Sequence, residues 1–330
     1  MATTVYGDIS PRTAAYAVRE MLIRALPYLI IEKFGQTYVI PKNSSKVAKF
    51  RRYEALALAT TPLVEGVTPA GKTLTHTDVT ATLDQYGDYV GISDVIQDTH
   101  EDPVFREAQD IIAEQAAQTI EAIRFGILNA GTTVYFADGA ARGAVATPIV
   151  LGIQRKVTRG FKRQNARMIT QIVSSTPNFN KESTEAGYIG LVHPDLENDI
   201  RAMTGFINVK DYGQMTPYEG EIGAVEDVRY IRSTVFESWL DAGAAAPTMV
   251  GETDPAVHCD VYPILYIANN AYGIVPLKGG AALTPIVHNP KVSDSDKLAQ
   301  RGHVGWKAMT TAVILNQNFM ARAEVAATEL

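Results

Sequence analysis

Between Pro103 and Asn129 the apolar positions Val104, Ala108, Ile112, Ala116, Ile120, Ile123 and Ile127 recur every three or four residues. That spacing places them on one face of an α-helix. At 1.5 Å per residue the helix is about 40 Å long, and Gly131 supplies its stop. One narrow apolar stripe of that length requires an elongated partner along it. Three other segments carry the same start chemistry as Asp102-Pro103: Ser10-Pro11, Thr147-Pro148 and His193-Pro194. Proline suits a first helical turn, where the N–H it lacks would be unpaired, and Ser, Asp and Thr oxygens accept from the free amides. The four helices are predicted to end near Leu26, Asn129, Gln164 and Met203.

Between the first two helices the pattern changes to β-branched and aromatic residues bounded by Gly, Pro and Asn: Val39–Pro41, Lys46–Leu58, Thr73–Leu83 and Tyr89–Val95. Lys46, Lys49, Arg51 and Arg52 precede any acid in the second of these, which suits a solvated hairpin arm better than a core strand. So much hairpin between two helices exceeds a simple connection and reads as a projecting element. Beyond Ala166 short strands are expected at Met168–Val173, Tyr188–Val192, Val228–Thr234 and Asp260–Ala268, with a final long strand pair at His303–Val313 and Ile314–Ala326. The small, polar stretch Ala242–Asp254 reads as a surface loop. The class is α+β, and no repeat suggests a solenoid or propeller.

Composition narrows the function. With 330 residues, length alone suggests about two domains. A hydrophobic fraction of 46% is that of a globular chain rather than a disordered one. Thirty Lys plus Arg against 36 Asp plus Glu leave a net charge of −6, which argues against a tight nucleic-acid binder. The longest apolar run, Met21–Ile31, is broken by Arg24 and Pro27, so no membrane span is expected. The start lacks a basic-then-apolar leader, and synthesis in a cytosol is expected. Cys259 is the only cysteine, which excludes an intrachain disulfide or a cysteine metal cluster.

Gly66-Val-Thr-Pro-Ala-Gly71-Lys72-Thr73 satisfies the phosphate-loop formula and raises the alternative of a nucleotide enzyme built on Lys72. That chemistry needs a helix starting at the lysine, whose amides and dipole hold phosphate. The residues that follow are β-branched at nearly every second position, and Pro69 removes one cradling amide, so a hairpin turn is the better reading. None of the six histidines has a partner at helical metal-ligand spacing, there is no nucleophile elbow, and the Asn43-Ser44-Ser45 sequon is expected to stay unmodified. His258-Cys259-Asp260 reads as strand with a buried thiol. No catalytic residue, cofactor or metal is expected.

Charge is more informative. Glu107, Asp110, Glu114 and Glu121 form an acidic stripe on the long helix, while the helix after Thr147 carries Arg155, Lys156, Arg159, Lys162 and Arg163 without an acid. Both can be solvated faces. Alternatively, they and the hairpin cations Lys46, Lys49, Arg51 and Arg52 are contacts between subunits.

An N-terminal arm, long hairpin, one-stripe helix and mixed remainder resemble the Johnson (Hong-Kong-97-type) fold of tailed-bacteriophage major capsid proteins. The blocks 33–42 (KFGQTYVIPK), 61–69 (TPLVEGVTP), 85–90 (QYGDYV) and 115–121 (QAAQTIE) are similar to the N-four-like podophage capsid family. So are 187–195 (GYIGLVHPD), 220–229 (GEIGAVEDVR) and 302–307 (GHVGWK). The resemblance implies a self-assembling shell protein with no active site. It implies an arm over 1–40, an extended loop over 41–90, a peripheral domain over 91–184 containing the spine helix 103–129, an axial domain over 185–300, and C-terminal strands over 301–330 that complete the peripheral domain. It further implies hexamers and pentamers closing an icosahedral shell around double-stranded DNA without sequence-specific binding. Portal and scaffolding or cement proteins are the implied partners, and assembly in a host bacterial cytoplasm is expected. An encapsulin-like bacterial compartment is the alternative on the same fold.

Overall fold

The computed structural model describes residues 29–41, 43–95, 104–173, 181–213, 216–277, 283–288, 290 and 297–330. The helix expected to end at Leu26, and the Asp102-Pro103 start of the next, lie outside them. In chain order the strands are β1 (Gln36–Thr37), β2 (Val47–Tyr53), β3 (His76–Thr82), β4 (Asp84–Ser93), β5 (Val134–Phe136), β6 (Ile169–Val173) and β7 (Lys181–Val192). There follow β8 (Phe206–Asn208), β9 (Glu221–Val225), β10 (Val228–Arg232), β11 (Tyr262–Ile267), β12 (Tyr272–Pro276), β13 (Thr284–His288), β14 (Arg301–Ile314) and β15 (Met320–Val325). The helices are α1 (Val104–Asn129), α2 (Leu151–Arg163) and the short α3 (Glu197–Ala202).

Three sheets result. The central strand of the first is β14, flanked by β4 on one side and by β13 and then β12 on the other, with β1 beyond β12. The second has eight strands, in the order β5-β15-β11-β7-β10-β9-β8 with β6 added against β7. The third is the two-stranded hairpin β2–β3, paired from Val47↔Thr82 to Tyr53↔His76. Gly87 and Gly305 let β4 and β14 approach: a Cβ on Gly87 would lie 2.6 Å from the Trp306 carbonyl oxygen, and one on Gly305 2.8 Å from that of Asp88.

The elongated partner that the long helix requires is β14. Fourteen residues of strand extend about 45 Å and 26 residues of helix about 40 Å, so the two match end to end. Ile112, Ala113, Ala116, Ala117 and Ile120 pack on Val304, Trp306 and Ala308. The three alanines bring the helix close to the strand. Further along, the buried face turns from Ile123 and Ile127, which are only half-buried, to Phe125 and Leu128. There the helix leaves β14 for the eight-stranded sheet, packing with Ile189, Leu191, Leu265 and Ile267, and the stripe must widen to serve two surfaces. The other face of that sheet is covered by α2, through Ile153, Val157 and Phe161, and by Ile200 of α3.

Several local expectations are revised. The α2 helix starts at Leu151, not at Pro148, because the Thr147 carbonyl accepts from the Ala326 amide and holds the chain extended beside β15. The two C-terminal strands are not a pair: β14 and β15 belong to different sheets, separated by a 3-10 turn at Gln317–Phe319. Strand β4 begins at Asp84 and pairs with β14 rather than closing the hairpin. The His193-Pro194 start holds, as a 3-10 turn leading into α3, with the His193 ring accepting from the Asp195 amide. Strands β1, β5, β8, β9, β12 and β13 are additions to the pattern expected from sequence, and the strand expected at Val39–Pro41 is reduced to a single bridge from Ile40 to Leu277.

Overpacking the α1–β14 seam tests this account. Ala116→Leu and Ala117→Leu are each expected to lower the unfolding free energy by about 1–3 kcal/mol in urea denaturation, whereas Gln118→Leu on the exposed side stays within about 0.5 kcal/mol.

Candidate functional site

Every residue from 51 to 78 is exposed, through the outer half of β2, the whole connection and the start of β3. Leu58 is 86% exposed, Leu63 79%, and Val64, Val67 and Leu74 are each above 60%. Nothing in the described chain covers them, although burying one such side chain is worth about 1.5–3 kcal/mol. The arm is nevertheless ordered from within. Arg51 holds Asp78 across the strands at 2.8 Å and keeps its carboxyl below the usual range, while Thr77 donates to Glu54. Its base is fastened to the body by Ala48, Ala81 and Leu83 packed on Ile40 and Val275.

The phosphate-loop formula falls in this arm. Gly66 has φ +76°, no helix follows Lys72, and the Lys72 ammonium donates to the Ala57 carbonyl at 2.8 Å, bracing the connection. Cys259 is buried, its thiol directed at the Val145 carbonyl, and burial pushes its pKa up, away from reactivity. Among the described residues no group of three His, Cys, Asp or Glu side chains could hold a metal ion, and no helix is long and apolar enough to cross a membrane.

The charged residues singled out in the sequence separate into distinct groups. In the hairpin, Lys46 pairs with Asp84 at 3.2 Å and Arg51 with Asp78, while Lys49 and Arg52 stand exposed with no ion pair among the described residues. On α1, Glu107 is exposed, and the half-buried Asp110 and Glu114 are already engaged with other groups of the chain. On α2, Arg155 pairs with Glu226 and Lys162 with Asp227, two acids presented by the tight β9–β10 turn in which Glu226 takes φ +51°. Lys156, Arg159 and Arg163 remain exposed.

Glu121 does not belong to a solvated stripe. It is fully buried where α1 passes the segment before β1, and its Oε1 accepts from the amides of Ile30 at 3.0 Å and Ile31 at 2.7 Å. One turn on, buried Arg124 donates to Glu32 at 2.9 Å and reaches Thr310 of β14, and the Tyr272 hydroxyl donates to the Ile31 carbonyl. Glu121 is therefore an internal clasp holding the incoming chain on the spine helix. Spacing alone hides this, since residue 121 continues the 107, 110, 114 series; the apolar Ile30-Ile31 opposite it is the available signal.

A helix along a long strand, an eight-stranded mixed lobe and a projecting arm fit the Hong-Kong-97-type fold of structural proteins. A sequence-family profile described as phage capsid protein matches residues 77–321, well over half of the chain. The chain belongs to the phage capsid protein family. The capsid of Ralstonia phage GP4 superposes with a TM-score of 0.64 at 11% identity, over 89% of this chain and 87% of that one. The capsid of cyanophage Pam1 gives 0.60 at 13% identity over 100% and 95%, and that of cyanophage P-SCSP1u gives 0.55 at 16% over 91% and 89%. No curated protein sequence matches the chain. It is a major capsid shell protein and not an enzyme, and neither the encapsulin-like nor the nucleotide-enzyme alternative is favoured.

Burial raises the Glu121 carboxyl from an ordinary 4.5 to about 7, against Arg124 and the two amides, which favour the charged form. The folded chain thus holds this proton more tightly than the unfolded one. Its contribution to stability is fully present below pH about 4.5 and is lost as pH rises through about 7, on the order of 3 kcal/mol in all. Glu121→Gln keeps an oxygen for the two amides but cannot titrate. Urea unfolding of the dissociated chain is expected to show this decline in the wild type as pH rises from 4.5 through about 7 and a flatter profile in the variant.

Proposed function

We propose that copies of this chain form hexamers and pentamers that close an icosahedral shell around double-stranded DNA, and that the chain is of the N-four-like podophage type. The observation that carries the assembly reading is the arm: residues 51–78 lie exposed with large apolar side chains that the described chain itself leaves uncovered. A second copy offers the cover. Identical chains making such one-way contacts close into rings, and ring-to-ring contacts close the shell.

In this reading the hairpin within 41–90 is the extended loop. The peripheral domain spans 91–184 with the spine helix α1 and is completed from 301–330, where β14 lies along that helix. The axial domain is built from 185–300, and the N-terminal arm is assigned to 1–40, of which 29–40 are described. The exposed hairpin cations Lys49 and Arg52 and the exposed Glu107 on α1 are the charged contacts between copies, with Lys46, Arg51, Asp110 and Glu114 beside them. A portal protein occupies one vertex, a scaffolding or cement protein assists, and assembly takes place in the host bacterial cytoplasm. The net charge of −6 suits a wall that surrounds DNA without adhering strongly to it.

The test is removal of the arm. Replacing residues 56–74 with a short Gly-Ser turn joins strands already in register and touches no core residue. The variant is expected to keep its circular dichroism and to melt within a few degrees of wild type, yet to remain unassembled by electron microscopy and sedimentation where wild type forms capsomers and shells. Shells formed without the arm would overturn the reading.

A further inference from the structure

The sequence contains no Asp or Glu between Asp138 and Glu182, and α2 lies within that acid-free run. The structure divides its five cations. Arg155 and Lys162 are neutralised by Glu226 and Asp227, whereas Lys156, Arg159 and Arg163 are exposed and form no ion pair among the described residues. Their spacing of three and four residues sets them in one row about 10 Å long. The row runs along one exposed flank of α2, and Ile153, Val157 and Phe161 form the face buried on the sheet.

An acidic counterpart on a neighbouring copy is the obvious occupant, and α1 is where the sequence places it. The structure removes most of that counterpart: Glu121 is inside the chain, and Asp110 and Glu114 are engaged there. A straight row of unneutralised cations fits a ligand whose negative charge repeats along a line, and guanidinium groups hold phosphate oxygens in bidentate fashion. We propose that Lys156, Arg159 and Arg163 form a phosphate-binding ridge that meets the backbone of duplex DNA, so that this face of α2 lines the interior of the shell. The inference rests on the reading that the shell encloses DNA. Each copy neutralises about three phosphates, weak alone against a net charge of −6, and many copies act together on one long polyanion.

The experiment uses the full chain: capsomers, whose inner face is open, are titrated with a random-sequence DNA duplex across a range of salt concentrations, and shell formation is scored separately by electron microscopy. The wild type and the triple variants Lys156→Glu/Arg159→Glu/Arg163→Glu and Lys156→Gln/Arg159→Gln/Arg163→Gln are compared. For wild type, log affinity should fall with log salt. In both variants the slope should become shallower by about 3 for each copy that engages the duplex, because each neutralised phosphate contributes roughly 0.9 to it. Affinity at low salt should drop at least tenfold while shells still form. Wild type that does not bind the duplex, or variants with unchanged slope and normal shells, would overturn the proposal and leave a solvated face. Variants that bind DNA as wild type does but fail to assemble would overturn it in favour of a contact between copies, and the glutamine variant separates that outcome from misfolding by the added acids. Wild type that forms no shells would instead count against the assembly reading, whatever the DNA titration gives.

Discussion

A helix of about 40 Å with an apolar stripe only one or two residues wide is stable in water only if something equally long lies against it, and β14 is that element. Most of the molecule is arranged by this seam. With α1 on its face, β14 takes β4 along one edge and β13 and β12 along the other, and β4 follows directly on the strand that returns from the hairpin. The arm therefore springs from a strand that runs on directly into this braced sheet. A projecting hairpin with no cover of its own can hold its direction only from such a base.

The two lobes are joined by buried charge as well as by apolar packing. Glu121 and Arg124 occupy the stretch where α1 passes from one sheet to the other, and between them they hold Ile30, Ile31, Glu32 and Thr310. Elsewhere buried Glu324 lies between Arg142 and Arg322, with Arg142 stacked on Trp239, and buried Arg229 pairs with Glu221. Removing one partner from such a pair leaves an uncompensated charge in a dry interior, which costs more than the intact pair contributes. Glu121, Arg124 and the Arg142–Glu324 pair hold distant parts of the chain in one arrangement. An element that is to be repeated around a shell needs that uniformity.

The parts legible in the sequence are those governed by local rules. The three-four spacing of 104–127 predicts α1 and the need for an elongated partner, and the β-branched, acid-poor run from Lys46 predicts a projecting hairpin. The β-branched residues after Lys72 separate a hairpin connection from a phosphate loop. The acidic series from Glu107 misleads at its last member, because helical spacing assigns a residue to a face but not to what that face meets. The final strands read as one pair because adjacency along the chain is the only pairing information a single sequence carries.

Local chemistry is therefore decided by the sequence alone: that the 104–129 run is one long helix, which segment projects, and that a charge balance of −6 resists general adhesion to DNA. Tertiary structure alone decides partnership. It sends β14 and β15 to different sheets, draws Glu121 inside, gives Arg155 and Lys162 their acids, and leaves Lys156, Arg159 and Arg163 outward. The physical reason is range. Capping and periodicity act over one or two turns of chain, whereas burial and ion pairing depend on residues some 70 to 190 positions apart that only the folded chain brings together.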